Sequence, residues 1–352
     1  MVQEINDEAK YRQLWDELQL SILQSWEWGD LKQPLWQPLR LVVDDYPITV
    51  LLRKVPVLSG NIAYIPRPFT DLDSSTEKLN SILTQLIAFL GSENSSKHKL
   101  VHLMIDPELY SEESQRIFNE LGFKLSEPVQ ARCTNLLSLE PSEEELLLGV
   151  RESSRRNIKK AVKSGCTVET HTTGDAIERF LKVMHSINVR NAFVKQQDPY
   201  FRKLWEISDG KLFKLFIVTH QGNDVATCLV GHNRVRLSDL YVGVTDAGKA
   251  VNAGHLMKWE SILDAKRSGY KVYDHWGVAK LLKTEYEGHP TREMFDPKDK
   301  LAYLSEFKFS FGGEYMEYLK QQLYVFDNLR YQSYKLLDKG RVAALQISKR
   351  LR

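Results

Sequence analysis

The sequence predicts a mixed α/β protein of two domains. Runs rich in β-branched and aromatic residues alternate with stretches whose apolar residues recur at helical spacing. At 352 residues the chain has room for two domains and little for a third. The two halves also present their elements in a similar order, which suggests a duplicated domain. Hydrophobic residues make up 42% and charged residues 27%, so disordered, collagen-like and fibrous classes are excluded.

In the first half, LRLVVDDYPITVLLRKV from Leu39 and LVHLMID from Leu100 read as strands. TEKLNSILTQLIAFLGS from Thr76 and SEESQRIFNELGF from Ser111 read as helices. In the second half, helices are expected at TGDAIERFLKVMHSINVR from Thr173 and AGHLMKWESILDAKRSGY from Ala253. Strands are expected at FKLFIVTH from Phe213, VATCLVGHN from Val225 and KVYDHWG from Lys271. Between the halves, LEPSEEELLLGV reads as a hinge. There Ser142 can cap a helix whose first turn carries Glu143, Glu144 and Glu145, where carboxylates suit the positive end of the dipole. The boundary is expected near Glu140.

No apolar run reaches the roughly 18 to 20 residues of a bilayer span, and the acidic, polar start does not read as a secretory signal, so a cytoplasmic protein is expected. Cys133, Cys166 and Cys228 lie far apart and form no CxxC pair, which implies neither a disulfide framework nor a zinc site. The net charge of +2 hides an asymmetry: residues 1–149 hold 13 Lys and Arg against 23 Asp and Glu, the remainder 35 against 23. A basic second half suggests an anionic partner, nucleic acid or a phosphorylated substrate, or else a solvated surface.

The sharpest local feature is VRESSRRNIKKAVKSG, where Arg151, Arg155, Arg156, Lys159, Lys160 and Lys163 stand against one acid, Glu152. In a helix Arg151, Arg155, Lys159 and Lys163 share one face, and like charges at that spacing repel by a few tenths of a kcal/mol per pair. A bound anion would relieve that repulsion, so the stripe is a candidate face for an anionic partner such as nucleic acid; a solvated face is the alternative.

Standard catalytic signatures (HExxH, GxSxG, GxxxxGK[ST], GxGxxG) are absent, and no metal site is expected. His275 follows Asp274 in an expected strand, where neighbours face opposite ways, which argues against a dyad. TDAGKAVNAGHLMKW places Gly248 and Gly254 before a helix, a loose form of a pyrophosphate-holding turn. It keeps open an acyl-CoA-dependent N-acyltransferase, with a plain turn as the other reading.

Several segments taken in order resemble the FemABX family, peptidyltransferases that move amino acids from aminoacyl-tRNA to the stem peptide of peptidoglycan precursors. They are LQSWEWGDLK (Leu23–Lys32), AYIPRP (Ala63–Pro68), LMIDPE (Leu103–Glu108), the hinge and basic helix, SDLYVGV (Ser238–Val244), the Ala253 helix with KVYDHWGV, and LSEFKFSFGGEYMEYL (Leu304–Leu319). The resemblance spans nearly the whole chain. It implies two domains like the GNAT acyltransferases, facing each other across a cleft: 1–140 with a returning tail of about 318–352, and 141–317. It also implies no cofactor and no metal, with aminoacyl-tRNA and a lipid-linked or nucleotide-linked precursor as partners.

By matching position, the resemblance makes Lys308, preceded by Phe307, the residue beside the transferring carbonyl, with Asp106 as a possible base. Lys32 corresponds to a diphosphate-binding residue, Tyr241 to a tyrosine lining the substrate cleft, and Arg190 and Tyr200 to further substrate contacts. Where an aromatic often precedes that tyrosine by two residues, this chain has Asp239, and YIPRPF replaces the YIPRGP of some members. The coiled-coil arm of some members is missing. The basic tail from Lys339 could rest on anionic lipid at the inner face of the plasma membrane, which would suit a lipid-linked acceptor; a solvated terminus is the other reading.

Overall fold

A computed structural model describes residues 1–55, 59–70, 72–92, 99–191, 196–283 and 286–337. The side chains of 188–191 are outside that description, so the candidate Arg190 can be placed only by its backbone. The basic tail from Lys339 lies outside the described residues altogether.

The chain divides into two compact units, Met1–Gln130 with Tyr318–Arg352, and Ala131–Glu317. Unit 1 runs β1 (Val2–Glu4), α1 (Glu8–Glu17), α2 (Trp26–Leu31), β2 (Gln37–Val43), β3 (Tyr46–Val55), β4 (Gly60–Pro66), α3 (Thr76–Gly91), β5 (Leu100–Asp106), α4 (Glu112–Glu120) and β6 (Lys124–Ser126). Unit 2 runs β7 (Cys133–Ser138), α5 (Glu143–Gly149), α6 (Glu152–Lys163), β8 (Thr167–His171), α7 (Ala176–Asn191), α8 (Asp198–Ser208), β9 (Phe213–His220), β10 (Asn223–His232), β11 (Arg236–Val244), α9 (Asp246–Ala250), α10 (Ala253–Arg267), β12 (Val272–Asp274), α11 (Ala302–Phe309) and β13 (Glu314–Glu317). The chain then returns to unit 1 as β14 (Gln321–Val325).

Each unit has one seven-stranded sheet, ordered β1-β2-β3-β4-β5-β14-β6 in unit 1 and β13-β7-β12-β11-β10-β9-β8 in unit 2. Read from β1 and from β8, the two patterns coincide: only the fourth and fifth strands, β4 with β5 and β11 with β12, run parallel. A parallel pair needs a crossover, and it is supplied by α3 in unit 1 and by α9 and α10 in unit 2. In both sheets the sixth position is filled from elsewhere in the chain: β6 is followed by β7 of the other sheet, and β13 by β14. The expected hinge at Glu140 therefore lies inside unit 2, because β7 before it is already paired with β12 and β13.

The local reasons are legible. In α3, Leu79, Ile82, Leu83, Leu86 and Leu90 are buried at helical spacing. Tyr46–Leu52 of β3 are buried without alternation, as in a strand covered on both faces. Ser142 and Glu145 form a reciprocal capping box at α5. In unit 2, Phe216, Val218, Val230, Leu237, Met257, Ile262 and Phe311 form part of one core between sheet and helices.

Candidate active site

Lys308 lies near the end of α11 and is only 7% exposed. The helix is pinned on two sides. The Ala279 N–H donates to Ser305 Oγ at 2.7 Å, while Arg151 pairs with Glu306 at 2.9 Å and its N–H donates to the Ser310 carbonyl at 2.8 Å. The Lys308 ammonium donates to the carbonyls of Trp276 and Gly277 at 2.7 and 2.8 Å. An ammonium has three donors. The third has no partner among the described residues. Burial lowers the pKa to about 8, opposed by the charge of Asp239.

The two carbonyls are presented by a turn directly after β12. Trp276 has φ +51°, a left-handed conformation that costs a bulky residue ~1–3 kcal/mol. Its N–H donates to Asp274 Oδ1 at 2.8 Å, and the same oxygen takes the Thr134 hydroxyl of β7.

Beside this turn is a buried polar network that residue patterns did not reveal. Asp239 pairs with Lys258 of α10, and Asp239 Oδ1 accepts from the Tyr273 hydroxyl at 2.6 Å and the Cys228 thiol at 3.5 Å. The Ser261 and Tyr273 hydroxyls share a hydrogen bond of 2.7 Å. Burial, then the Asp239 charge, pushes the Tyr273 phenol and the Cys228 thiol well above their ordinary values. His275 is 0% exposed with neither ring nitrogen partnered among the described residues. Burial, Lys258 and Lys308 keep it neutral by lowering its pKa well below the usual value. It forms no dyad with Asp274, as the strand alternation implied. Asp239 was visible in the sequence as a departure at a cleft position; Lys258 was not, because it sits among apolar helix residues with nothing to mark it.

Two other expected substrate residues meet. Tyr241 is two residues beyond Asp239 on β11, and its hydroxyl is hydrogen-bonded to that of Tyr200 on α8. Burial raises both phenols. Phe201 packs edge-on against Tyr241 at 4.9 Å and tilted against Phe180 at 5.2 Å, fixing α8 to α7. Arg190 lies near the end of α7. Phe307 is half-buried, its ring edge-on to His255 at 5.0 Å and to Phe311 at 5.3 Å. His255 meets Asn157 of α6 at 3.2 Å, and burial lowers its pKa to about 4.

Lys32 and Asp106 belong to unit 1. Lys32 is the C-cap of α2, its ammonium 4.0 Å from the centre of the Trp28 ring, and burial lowers its pKa to about 8. Asp106 was expected as a base. Its oxygens instead accept the Tyr64 hydroxyl at 2.7 Å, the N–H groups of Val129 and Gln130 at 3.1 and 3.0 Å, and the Gln321 amide at 3.2 Å. A buried carboxylate so engaged acts as a clamp on the chain after β6 and on β14.

The basic stripe divides. The Arg151 guanidinium is held by Glu306 and the Pro290 carbonyl at 3.0 Å, and Arg155 by the carbonyls of Leu148 and Val150 at 2.8 and 2.5 Å, where it closes the end of α5. Arg156 pairs with Glu152 on the surface, and Lys159, Lys160 and Lys163 are exposed. The repulsion anticipated along the stripe is thus partly relieved by the chain's own acceptors.

Among the described residues no group of three or more His, Cys, Asp or Glu could hold a metal ion. Gly248 has a packing reason: a Cβ there would lie 2.3 Å from the Val225 carbonyl oxygen.

Residues 149–283 match the acetyltransferase (GNAT) domain family. The chain is 27% identical over 213 residues to the lipid II:glycine glycyltransferases of Staphylococcus aureus strains RF122 / ET3-1 and MRSA252, covering 54% of this chain and 49% of theirs. It therefore spans about half the length of the curated relatives it matches. Among solved structures, FemX superposes with a TM-score of 0.77 at 19% identity, covering 94% of this chain and 99% of FemX. The L-PGS of Bacillus licheniformis gives 0.56 at 13% identity, covering 97% and 99%. The chain thus carries a GNAT-domain match within unit 2, shares the fold of FemX, and is homologous over about half its length to lipid II:glycine glycyltransferases.

Proposed function

We propose that the chain is an aminoacyltransferase that moves an amino acid from aminoacyl-tRNA to the amine of a peptidoglycan-precursor stem peptide, in the assembly of cell-wall cross-bridges. The observation that carries this reading is Lys308, a buried ammonium held by two carbonyls with one proton unassigned.

The reaction is aminolysis of an activated ester. The amine nitrogen attacks the ester carbonyl, the carbonyl oxygen takes negative charge, and the C–O bond to the ribose of the tRNA end breaks. The amine proton ends on the departing hydroxyl or in water. Such a step needs alignment and stabilisation of the oxyanion more than a nucleophile. The remaining Lys308 proton supplies that stabilisation, Phe307 borders it, and the Tyr200–Tyr241 pair with Arg190 contacts the stem peptide. Lys32, over Trp28, takes precursor phosphate. Arg156, Lys159, Lys160 and Lys163 supply the exposed charge for the tRNA backbone, while Arg151 and Arg155 shape the helix that carries it. Asp106 holds β14 in place and lies outside the proton path. The acceptor is lipid II or its nucleotide-linked precursor, which the named activity of the relatives supports. Among the described residues no helix is long and apolar enough to cross a membrane. A lipid-linked acceptor would bring the chain to the inner membrane face.

Transfer of a radiolabelled amino acid from a panel of charged tRNAs, with soluble and lipid-linked precursors, tests the reading; no transfer in any combination sinks it. The GNAT match over 149–283 favours a second reading, an acyl-CoA-dependent N-acyltransferase. The Val225 contact accounts for Gly248 without a ligand. A rise in melting temperature with CoA would restore that second reading.

A further inference from the structure

We propose that Asp274 is a positioning residue for Lys308, acting through the left-handed turn at Trp276; the inference deepens the transfer reading and rests on it for its kinetic consequences.

A lysine ammonium is a point charge on a flexible stem, so its place is set by what its protons meet. Two of the Lys308 protons meet the carbonyls of consecutive residues, Trp276 and Gly277. In a continuing strand consecutive carbonyls point to opposite sides. Both reach one ammonium here because β12 ends at Asp274 and the backbone turns left-handed at Trp276. A tryptophan does not hold that conformation unaided. Asp274 holds it by accepting the Trp276 N–H two residues on, while the same carboxylate oxygen is fixed by Thr134 on the neighbouring strand β7. Asp274 is itself buried and registered against Leu136 of β7 and Ser238 of β11. The chain of contacts runs from carboxylate to turn, from turn to two carbonyls, and from carbonyls to ammonium.

The charged and titratable groups acting on Lys308 come from each neighbouring element: Asp239 of β11, Lys258 of α10, Asp274 of β12 and Cys228 of β10. Asp274 and Asp239 favour the ammonium and Lys258 opposes it, while Arg236 of β11 faces Asp274 Oδ2 at 4.0 Å. His275, which Lys308 influences in turn, stays neutral and adds no charge.

The test compares Asp274→Ala, Asp274→Asn, Lys308→Met and the D274A/K308M double variant in the transfer assay. It also follows the Lys308 side chain by carbon-13 NMR of labelled lysine, assigned with Lys308→Arg. D274A should lower kcat ~10–100-fold with KM within about twofold, and the double variant should be no slower than K308M alone. D274N keeps an acceptor oxygen for the Trp276 N–H and should recover kcat at neutral pH. It lacks the negative charge, so its alkaline loss of rate and the Lys308 titration should both move to lower pH. Multiplicative losses in the double variant, or a D274N titration superimposable on the wild type, would overturn the inference. Should D274A not fold, the D274N titration and rate profile decide alone. The NMR arm needs no substrate: a shifted titration without wild-type transfer defeats the transferase reading alone, and transfer with an unmoved titration defeats only the role of Asp274.

Discussion

The Lys308 ammonium is fixed by main-chain oxygens, those of Trp276 and Gly277, rather than by an acidic side chain. The EFKFSFGGE segment identified the residue through its resemblance, but nothing in it disclosed that two backbone carbonyls thirty-odd positions upstream would hold the ammonium. Hydrogen bonds to main chain leave no mark on residue identity; Lys258 was hidden for another reason, its partner Asp239 lying on a different element. Lys308→Met should lower kcat ~10²–10³-fold on the wild-type substrates with the fold retained, checked by its far-UV circular dichroism. On the proposed role the ammonium is the form that stabilises the oxyanion, and with its pKa lowered to about 8 transfer should hold at neutral pH and fall as pH rises through that value. An alkaline limb that stays put when Lys308 is replaced by Arg would detach the limb from this residue. The Asp239–Lys258 pair is a second residue-level case. Removing one partner leaves a buried charge, so Asp239→Leu or Lys258→Met should each cost ~3–5 kcal/mol in denaturant unfolding, while the double replacement should cost much less. Equal and additive losses would show that the pair contributes only packing.

At the scale of elements, α6 separates charge that builds the fold from charge left in solvent. Its composition announced six cations, yet composition cannot distinguish a guanidinium that closes α5 from an ammonium in water. Replacing Lys159, Lys160 and Lys163 by Gln should weaken tRNA binding and reduce the slope of log K against log salt by roughly 1 for each phosphate no longer neutralised, with little change in stability. Arg155→Ala should do the reverse, costing ~1–3 kcal/mol of stability by stripping the carbonyls at the end of α5. Filter binding across a salt series and thermal unfolding of the same preparations check both. The helices themselves were largely legible. Ser111 and Ser142 cap where side-chain chemistry predicts, and α10 begins at Ala253 as its apolar spacing indicates. The expected start at Thr173 proved too early, since Thr173–Asp175 lead into α7 rather than forming its first turn.

For the whole molecule, alternating patterns disclosed the class, and the similar order of elements disclosed the repetition now visible as two sheets of one pairing pattern. Strand partnership across long separations was not legible, because β-strand patterns specify which face is buried and not which neighbour is taken. That limit matters for β14, which sits between β5 and β6. A polypeptide of residues 131–317 contains every strand of its sheet and should fold alone, with dispersed amide NMR signals. Residues 1–130 should not, since among the described residues β6 pairs in that sheet only with β14. Well-dispersed spectra from 1–130 alone would contradict this assignment of the sheet.

The same insertion sets a timetable for a chain emerging from the ribosome. The later-made half holds all it needs once residue 317 is out, whereas the half made first must wait with a gap in its sheet until the strand ending at Val325 arrives. The usual rule that the amino-terminal domain finishes first is thereby reversed. Premature termination anywhere upstream of that strand would release a product with an unfilled edge between β5 and β6, the kind of surface that recruits other chains.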